Sequence, residues 1–234
     1  MGSQWIRLVL AISLDGRLAL PWGGKTQLGS NDDRKVLEES LAWSDATLIG
    51  GGTLRAHQNT CLIHDSELIK HRISEGRSEQ PIALVISNQK DFCPDWPFFN
   101  QPIKRWLISS KASSTQQNIV GRYERLFTLD SDWTKTFTQL KEEGLKRIVL
   151  LGGAKLIGSL LKADLVDELQ LTLTSKIIGG EYTWVPTHIA KLPKILSSPN
   201  AWLLEDNYPL NNNELLLRYF RNRPSNKMPK KNQI

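Results

Sequence analysis

Eight stretches of the chain are apolar enough to form strands: residues 5–13, 46–50, 82–87, 104–108, 147–151, 168–178, 201–206 and 215–220. Several are unbroken aliphatic runs rather than alternating ones, as parallel strands covered on both faces require. Between them the spacing changes to a helical period. Asn31 or Asp32 caps a predicted helix through Val36, Leu37, Leu41 and Trp43, with Glu38 and Glu39 on its polar side. Asp130 or Ser131 caps a second, through Phe137 and Leu140, which Gly144 stops; a third carries Leu156, Ile157, Leu160 and Leu161. The alternation predicts an α/β fold with helices on both faces of a mostly parallel sheet. No helical pattern separates the last three strands, so the sheet is expected to end in antiparallel order. Segments 89–101 and 183–200, rich in Pro, Trp, Asn and Ser, are expected as surface loops.

The length of 234 residues, with 40% hydrophobic and 23% charged, suits one substantial core. No run approaches the ~20 apolar residues of a membrane helix. Arg7 interrupts the first apolar run and Asp15 follows it, which fits a buried strand better than a signal peptide. A soluble, cytoplasmic protein is expected. The net charge of +6 is matched by six basic residues from Arg218 to Lys231, among which no acid occurs. The basic character is therefore assigned to the C-terminal end, giving a domain over 1–222 and a solvated, disordered basic tail over 223–234. Neither a nucleic acid nor a membrane is expected as partner. Cys61 and Cys93 lack the spacing of a zinc site or a redox pair and are expected as free thiols, with no metal. The H-x-E and P-C-x-x-C signature of a zinc nucleobase deaminase does not occur.

Candidate chemistry enters through two glycine turns about a hundred residues apart. Gly50-Gly51-Gly52-Thr53 follows Ala46-Thr47-Leu48-Ile49, and Gly152-Gly153-Ala154 follows Ile148-Val149-Leu150-Leu151. Glycine where a strand hands over to a helix lets backbone approach a bound group, and Thr53 adds a hydroxyl at a helix N-terminus. Glycine there also serves a plain turn. Neither G-x-G-x-x-G nor the P-loop pattern is present, so the two turns together suggest a phosphate-bearing cofactor without naming it.

Taken in order, Ala11-Ile12-Ser13-Leu14-Asp15-Gly16-Arg17, Ser44-Asp45-Ala46, Gly50-Gly51-Gly52-Thr53, Gly152-Gly153, Val166-Asp167-Glu168-Leu169 and Lys176-Ile177-Ile178-Gly179-Gly180 resemble the reductase domain of riboflavin biosynthesis. The resemblance covers roughly residues 4–220. That domain usually forms the C-terminal half of a bifunctional deaminase/reductase and has the dihydrofolate-reductase-like fold. It implies NADPH-dependent reduction of 5-amino-6-(5-phosphoribosylamino)uracil to the ribityl product, with the hydride supplied by the cofactor and no catalytic triad. The alternatives are another reductase of the same fold and a non-catalytic nucleotide-binding relative.

By the same resemblance Gly50, Gly52 and Thr53 would hold one side of the pyrophosphate, and Gly152, Gly153 and Ala154 the other, with a cis peptide between Gly152 and Gly153. Ser87 and Asn88 would receive the adenosine ribose and its 2′-phosphate, with Lys90 or Lys155 adding charge. Asp15 and Arg17 would meet the phosphorylated pyrimidine substrate, although Asp15-Gly16 also suits a tight hairpin turn. Asp45 is expected to anchor a strand start. Where the family usually carries acids, this chain has His57, a third substrate-side candidate, and Leu151. A homodimer is expected. Leu171, Leu173, Leu203, Leu215 and Leu217 would supply either its face or one face of the core sheet.

Overall fold

The computed structural model describes residues 4–88, 92–110, 122–129, 132–187, 189 and 191–223. Its strands are β1 (Trp5–Ser13), β2 (Ala46–Gly50), β3 (Ile82–Ile86), β4 (Arg105–Ser109), β5 (Arg125–Thr128), β6 (Arg147–Leu150), β7 (Glu168–Thr174), β8 (Trp202–Leu210) and β9 (Glu214–Arg221). They form one sheet in the order β5-β4-β3-β2-β6-β1-β7-β9-β8. The pairings from β5 to β7 are all parallel. β9 and β8 then close the sheet antiparallel, as the missing helices between the last strands foretold.

The unbroken apolar runs follow from burial on two sides. Ile6, Leu8, Leu10 and Ile12 of β1 pack with Leu48, Ile148 and Leu150 against α5 (Trp133–Glu142) and α6 (Ala154–Lys162). On the other face Val9 and Val149 meet Leu41 and Ala42 of α1 (Asn31–Trp43), with Leu68 and Ile69 of α3 (Ser66–Ser74) beside them. Ile49, Val85 and Leu107 on that side are covered by Leu54 of α2 (Gly51–His57) and Phe98 of α4 (Pro97–Asn100).

Several boundaries differ from the sequence expectation. The cap of α1 is Ser30, whose hydroxyl accepts from the Asp32 and Asp33 amides, so Asn31 is already the first helical residue. α5 is capped by Asp132; the expected caps Asp130 and Ser131 lie outside the described residues, as does Lys90. β7 ends at Thr174, because Ile178 belongs to a loop that Asp15 ties down. β5 is short and mostly exposed at the sheet edge, which hid it among polar neighbours.

α3 also lacks a legible apolar stripe. It is held by Arg72, 1% exposed, which donates to the carbonyls of Leu41, Ala42 and Ser44 at 3.2, 2.8 and 2.7 Å. The Ala42 carbonyl is among those that the last turn of α1 leaves without an intrahelical donor. Burial pulls the pKa of Arg72 down to about 10.

The assignment of the basic run to a solvated end is corrected for the described residues. Arg218 and Arg221 lie in β9: Arg218 reaches Glu168 at 2.8 Å, and Arg221 reaches Asp164 at 2.8 Å. Arg223 pairs with Asp164 and Asp167. These arginines answer acids in and just before β7, 50 or more residues earlier; sequence proximity therefore misjudged their partners. Residues beyond Arg223 lie outside the described set.

Candidate functional site

The two glycine turns are neighbours in space. β2 and β6 are adjacent parallel strands with Leu48 opposite Leu150, so their C-terminal ends open at the same edge. The Gly50 amide donates to the Gly152 carbonyl at 3.1 Å. A Cβ on Gly153 would stand 2.8 Å from the Thr53 hydroxyl oxygen, and one on Gly51 would stand 2.6 Å from Ser87 Oγ. Three strand ends and two helix starts are thus packed so closely that a side chain at either point would displace Thr53 or Ser87. Gly152 has φ +103°, which a side chain disfavours, and the Gly152–Gly153 peptide is cis. The caps of α2 and α6, Gly50 and Gly153, carry no side-chain acceptor, so neither helix start has a side-chain cap. Gly52 differs from its neighbours: it is exposed, and a Cβ there would meet only Arg55, at 4.0 Å.

Ser87 is buried just past the end of β3 against Gly51. Asn88 beside it accepts from the Ser110 amide and hydroxyl at 3.0 and 2.7 Å, which ties β3 to β4. Ala154 opens α6, and Lys155 is exposed in its first turn.

The proposed substrate-side residues stand in a different setting. Asp15 accepts from the amides of Ile178 and Gly179 at 3.1 and 2.7 Å, from the Ser13 hydroxyl at 2.5 Å and from Arg17 Nε at 3.3 Å. The Ser13 hydroxyl, with those two amides behind it, holds the carboxyl well below the usual carboxylate range. Asp15 and Gly16 sit in a tight turn that Ser13 and Arg17 close, and the carboxyl clips the loop after β7 onto it. Arg17 is paired with Asp15. His57 ends α2 half-buried and makes no hydrogen bond among the described residues; burial, then Lys25, push its pKa down, so the imidazole is neutral near pH 7. Leu151 is half-buried where two apolar clusters meet, its amide bonded to Leu48 at 3.0 Å. Asp45 anchors β6 by accepting from the Lys146 and Arg147 amides at 2.9 and 2.8 Å.

One residue on this side escaped the sequence. Asp33, in the first turn of α1, is half-buried; burial raises its pKa, and Glu214 nearby raises it further. An acid there reads from sequence as an ordinary first-turn complement to the helix dipole, which concealed it. Cys61 and Cys93 are free and exposed. Among the described residues no group of three His, Cys, Asp or Glu is placed to hold a metal, and no helix is long and apolar enough to cross a membrane. A cavity of about 330 Å³ lies at the far end of the sheet, lined by Ile6, Phe137, Asp164 and Arg223; the latter two already pair with each other.

A parallel sheet closed by two antiparallel strands, with small-residue bends meeting at the carboxyl ends of its central strands, is the dihydrofolate-reductase-like fold. A dihydrofolate reductase from Enterococcus faecalis superposes with a TM-score of 0.53 at 13% identity, over 95% of this chain and all of that one. A pyrimidine reductase-like protein from Corynebacterium diphtheriae superposes at 0.72 with 21% identity, over 94% and 92% of the two chains. Within that fold the chain belongs to the RibD C-terminal domain family, whose profile matches residues 4–194. The riboflavin biosynthesis protein RibD of Haemophilus influenzae is 25% identical over 208 residues, which are 88% of this chain and 55% of that protein. The chain spans little more than half the length of such relatives. A 2,5-diamino-6-ribosylamino-4(3H)-pyrimidinone 5′-phosphate reductase from Archaeoglobus fulgidus is 22% identical over 73% of this chain and 80% of its own length. A reductase family of this fold implies a nicotinamide cofactor.

Proposed function

We propose that this chain is an NADPH-dependent reductase that converts 5-amino-6-(5-phosphoribosylamino)uracil, or its 2,5-diamino-pyrimidinone counterpart, to the ribityl product in riboflavin biosynthesis. The observation that carries the proposal is the contact between the two glycine bends, bonded through Gly50 and Gly152 and too close for a Cβ at Gly153. A bound diphosphate needs such a cradle, where backbone amides and not side chains face it. Gly50, Gly52 and Thr53 would hold one side, and Gly152, Gly153 and Ala154 the other. Ser87 and Asn88 would take the adenosine ribose and its 2′-phosphate. The cofactor, when bound, supplies the hydride for the sugar C1′. The chain's own task is therefore orientation rather than nucleophilic attack. Asp15 and Arg17 would set the loop that borders the substrate, with His57 across from it.

Leu151 and His57 favour a second reading, a reductase of the same fold with a different substrate. An aliphatic side chain offers a sugar hydroxyl nothing, and a neutral imidazole offers one donor and one acceptor where a carboxylate has two accepting oxygens; each hydroxyl buried unpaired costs about 1–3 kcal/mol. A homodimer through the β8–β9 hairpin is also proposed. Leu204 and Leu215 are 49% and 37% exposed on one face of it, and sedimentation of the purified chain as a monomer would refute it.

Fluorescence titration with NADPH and NADH, followed by turnover assays on both pyrimidines, tests the reading. Tight NADPH binding with consumption on either pyrimidine is expected. Binding without consumption moves the assignment to the second reading or to a non-catalytic relative, and no binding overturns it.

A further inference from the structure

The junction between the glycine bends rests on a residue that neither bend contains. Phe92, 2% exposed in the stretch that follows β3, points the tip of its ring at the first bend: its Cζ stands 3.3 Å from the place that a Cβ on Gly51 would occupy. Ser87 Oγ takes the other side of that space, at 2.6 Å. Gly51 is thus floored by a ring and a hydroxyl, while Gly50 beside it donates to the Gly152 carbonyl at 3.1 Å. Phe92 is itself held at two points. Trp96 packs on its ring with centroids 5.6 Å apart, and Arg122 Nη1 donates to its carbonyl at 3.0 Å. Arg122 belongs to the stretch that leads into β5, two strands beyond β3, and its guanidinium lies 5.8 Å from the Phe99 ring of α4. A line of contacts therefore runs from the β5 edge of the sheet through Arg122 and Phe92 to Gly51. Phe98 is as deeply buried in the same cluster but is part of α4.

We infer that Phe92, fastened by Arg122, is the positioning residue of the first glycine bend: it holds Gly51 at the height where Gly50 meets Gly152, and so sets how firmly the joined bends retain a dinucleotide. Interior packing leaves little slack, so a ring fixed at both its edge and its backbone acts as a stop. A shorter side chain at position 92 leaves a void into which the bend can sink, and loosening the Arg122 bond lets the stop itself shift. The dinucleotide as ligand rests on the reductase proposal; the brace does not.

The test is amide hydrogen exchange, read residue by residue in the unliganded protein, with fluorescence titration of NADPH alongside. Phe92→Leu should speed exchange of the Gly50 amide by about 10-fold relative to that of Leu84, which is buried in β3. It should also weaken NADPH binding by about 10-fold. Phe92→Met, which keeps the reach of the ring, should stay within about 3-fold of wild type in both measurements. Arg122→Gln should move both in the same direction as Phe92→Leu, by about 3-fold. Phe98→Leu is the control: it removes the same ring volume from the same cluster, so it should lower the melting temperature as far while leaving the Gly50 to Leu84 ratio and NADPH affinity unchanged. An unaltered ratio in Phe92→Leu, or an equal change in Phe98→Leu, overturns the inference. Should Phe92→Leu fail to fold, Arg122→Gln decides, because an unaltered ratio there overturns it as well. Wild type that binds no NADPH overturns the cofactor reading, and the exchange ratios then judge the brace by themselves.

Discussion

The two sides of the cleft are built on opposite principles. On the glycine side, the packing depends on what is missing: a Cβ on Gly51 or Gly153 would press on Ser87 or Thr53. On the other side it depends on side chains, and these differ in how far the protein has already committed them. Asp15 is saturated by two amides, a hydroxyl and Arg17, whereas Asp33 is half-buried and pairs with no cation among the described residues. A backbone cradle cannot be retuned without breaking the packing around it, but a carboxyl can be replaced with the fold intact. If the proposed assignments hold, substrate preference is free to drift while the cofactor cradle stays put.

The largest expected effect separates cradle from fold. Gly52→Val has space for its side chain, so the melting temperature should hold while NADPH affinity falls by at least about 100-fold; unaltered affinity would contradict the phosphate assignment. Gly153→Val should lose affinity to a similar extent and also destabilise by about 1–3 kcal/mol, because Thr53 must move, as urea unfolding would measure.

On the polar side, and on the proposed function, Asp15→Asn should raise the pyrimidine KM several-fold, by about 3–10, with NADPH affinity unchanged, since the loop after β7 loses its clip. The same variant reads out in pH. The folded carboxyl of Asp15 titrates below its unfolded value, so its contribution is present above the ordinary carboxylate range and fades as pH falls through the low folded value. Wild type should lose stability there and Asp15→Asn should not; identical acid limbs would remove Asp15 from that role.

Asp33 should behave in the reverse sense, and with the smallest effect. Its folded pKa is raised by burial and Glu214, so the native state holds the proton more readily and stability grows as pH drops toward that value. Asp33→Asn should melt about 1–3 °C higher than wild type at neutral pH, with the gap closing on acidification. A lower melting temperature at neutral pH would mean that the carboxyl is better satisfied than described.

What the sequence disclosed tracks the same division. β1, β2 and β6 were legible because both faces are covered, leaving continuous apolar runs, and the glycine turns because backbone constraint leaves few residue choices. α3 was hidden because Arg72, a residue normally exposed, is its buried anchor. The α1 cap was expected at Asn31 or Asp32 and is Ser30, because all four residues from Ser30 to Asp33 are of types that suit capping. The partners of Arg218, Arg221 and Arg223 were not legible because their acids lie far back in the chain. A polar side chain's role is set by its partner, and partners are a matter of tertiary placement.

The hydrogen bond from Gly50 to Gly152 also bears on biosynthesis. Its two ends are made roughly a hundred codons apart, so a ribosome-bound nascent polypeptide lacks the joined bends, and with them the proposed dinucleotide cradle, until the second has emerged. On that assignment, fragments cut anywhere between the two would each fail to retain the coenzyme, and would regain it only on reassociating.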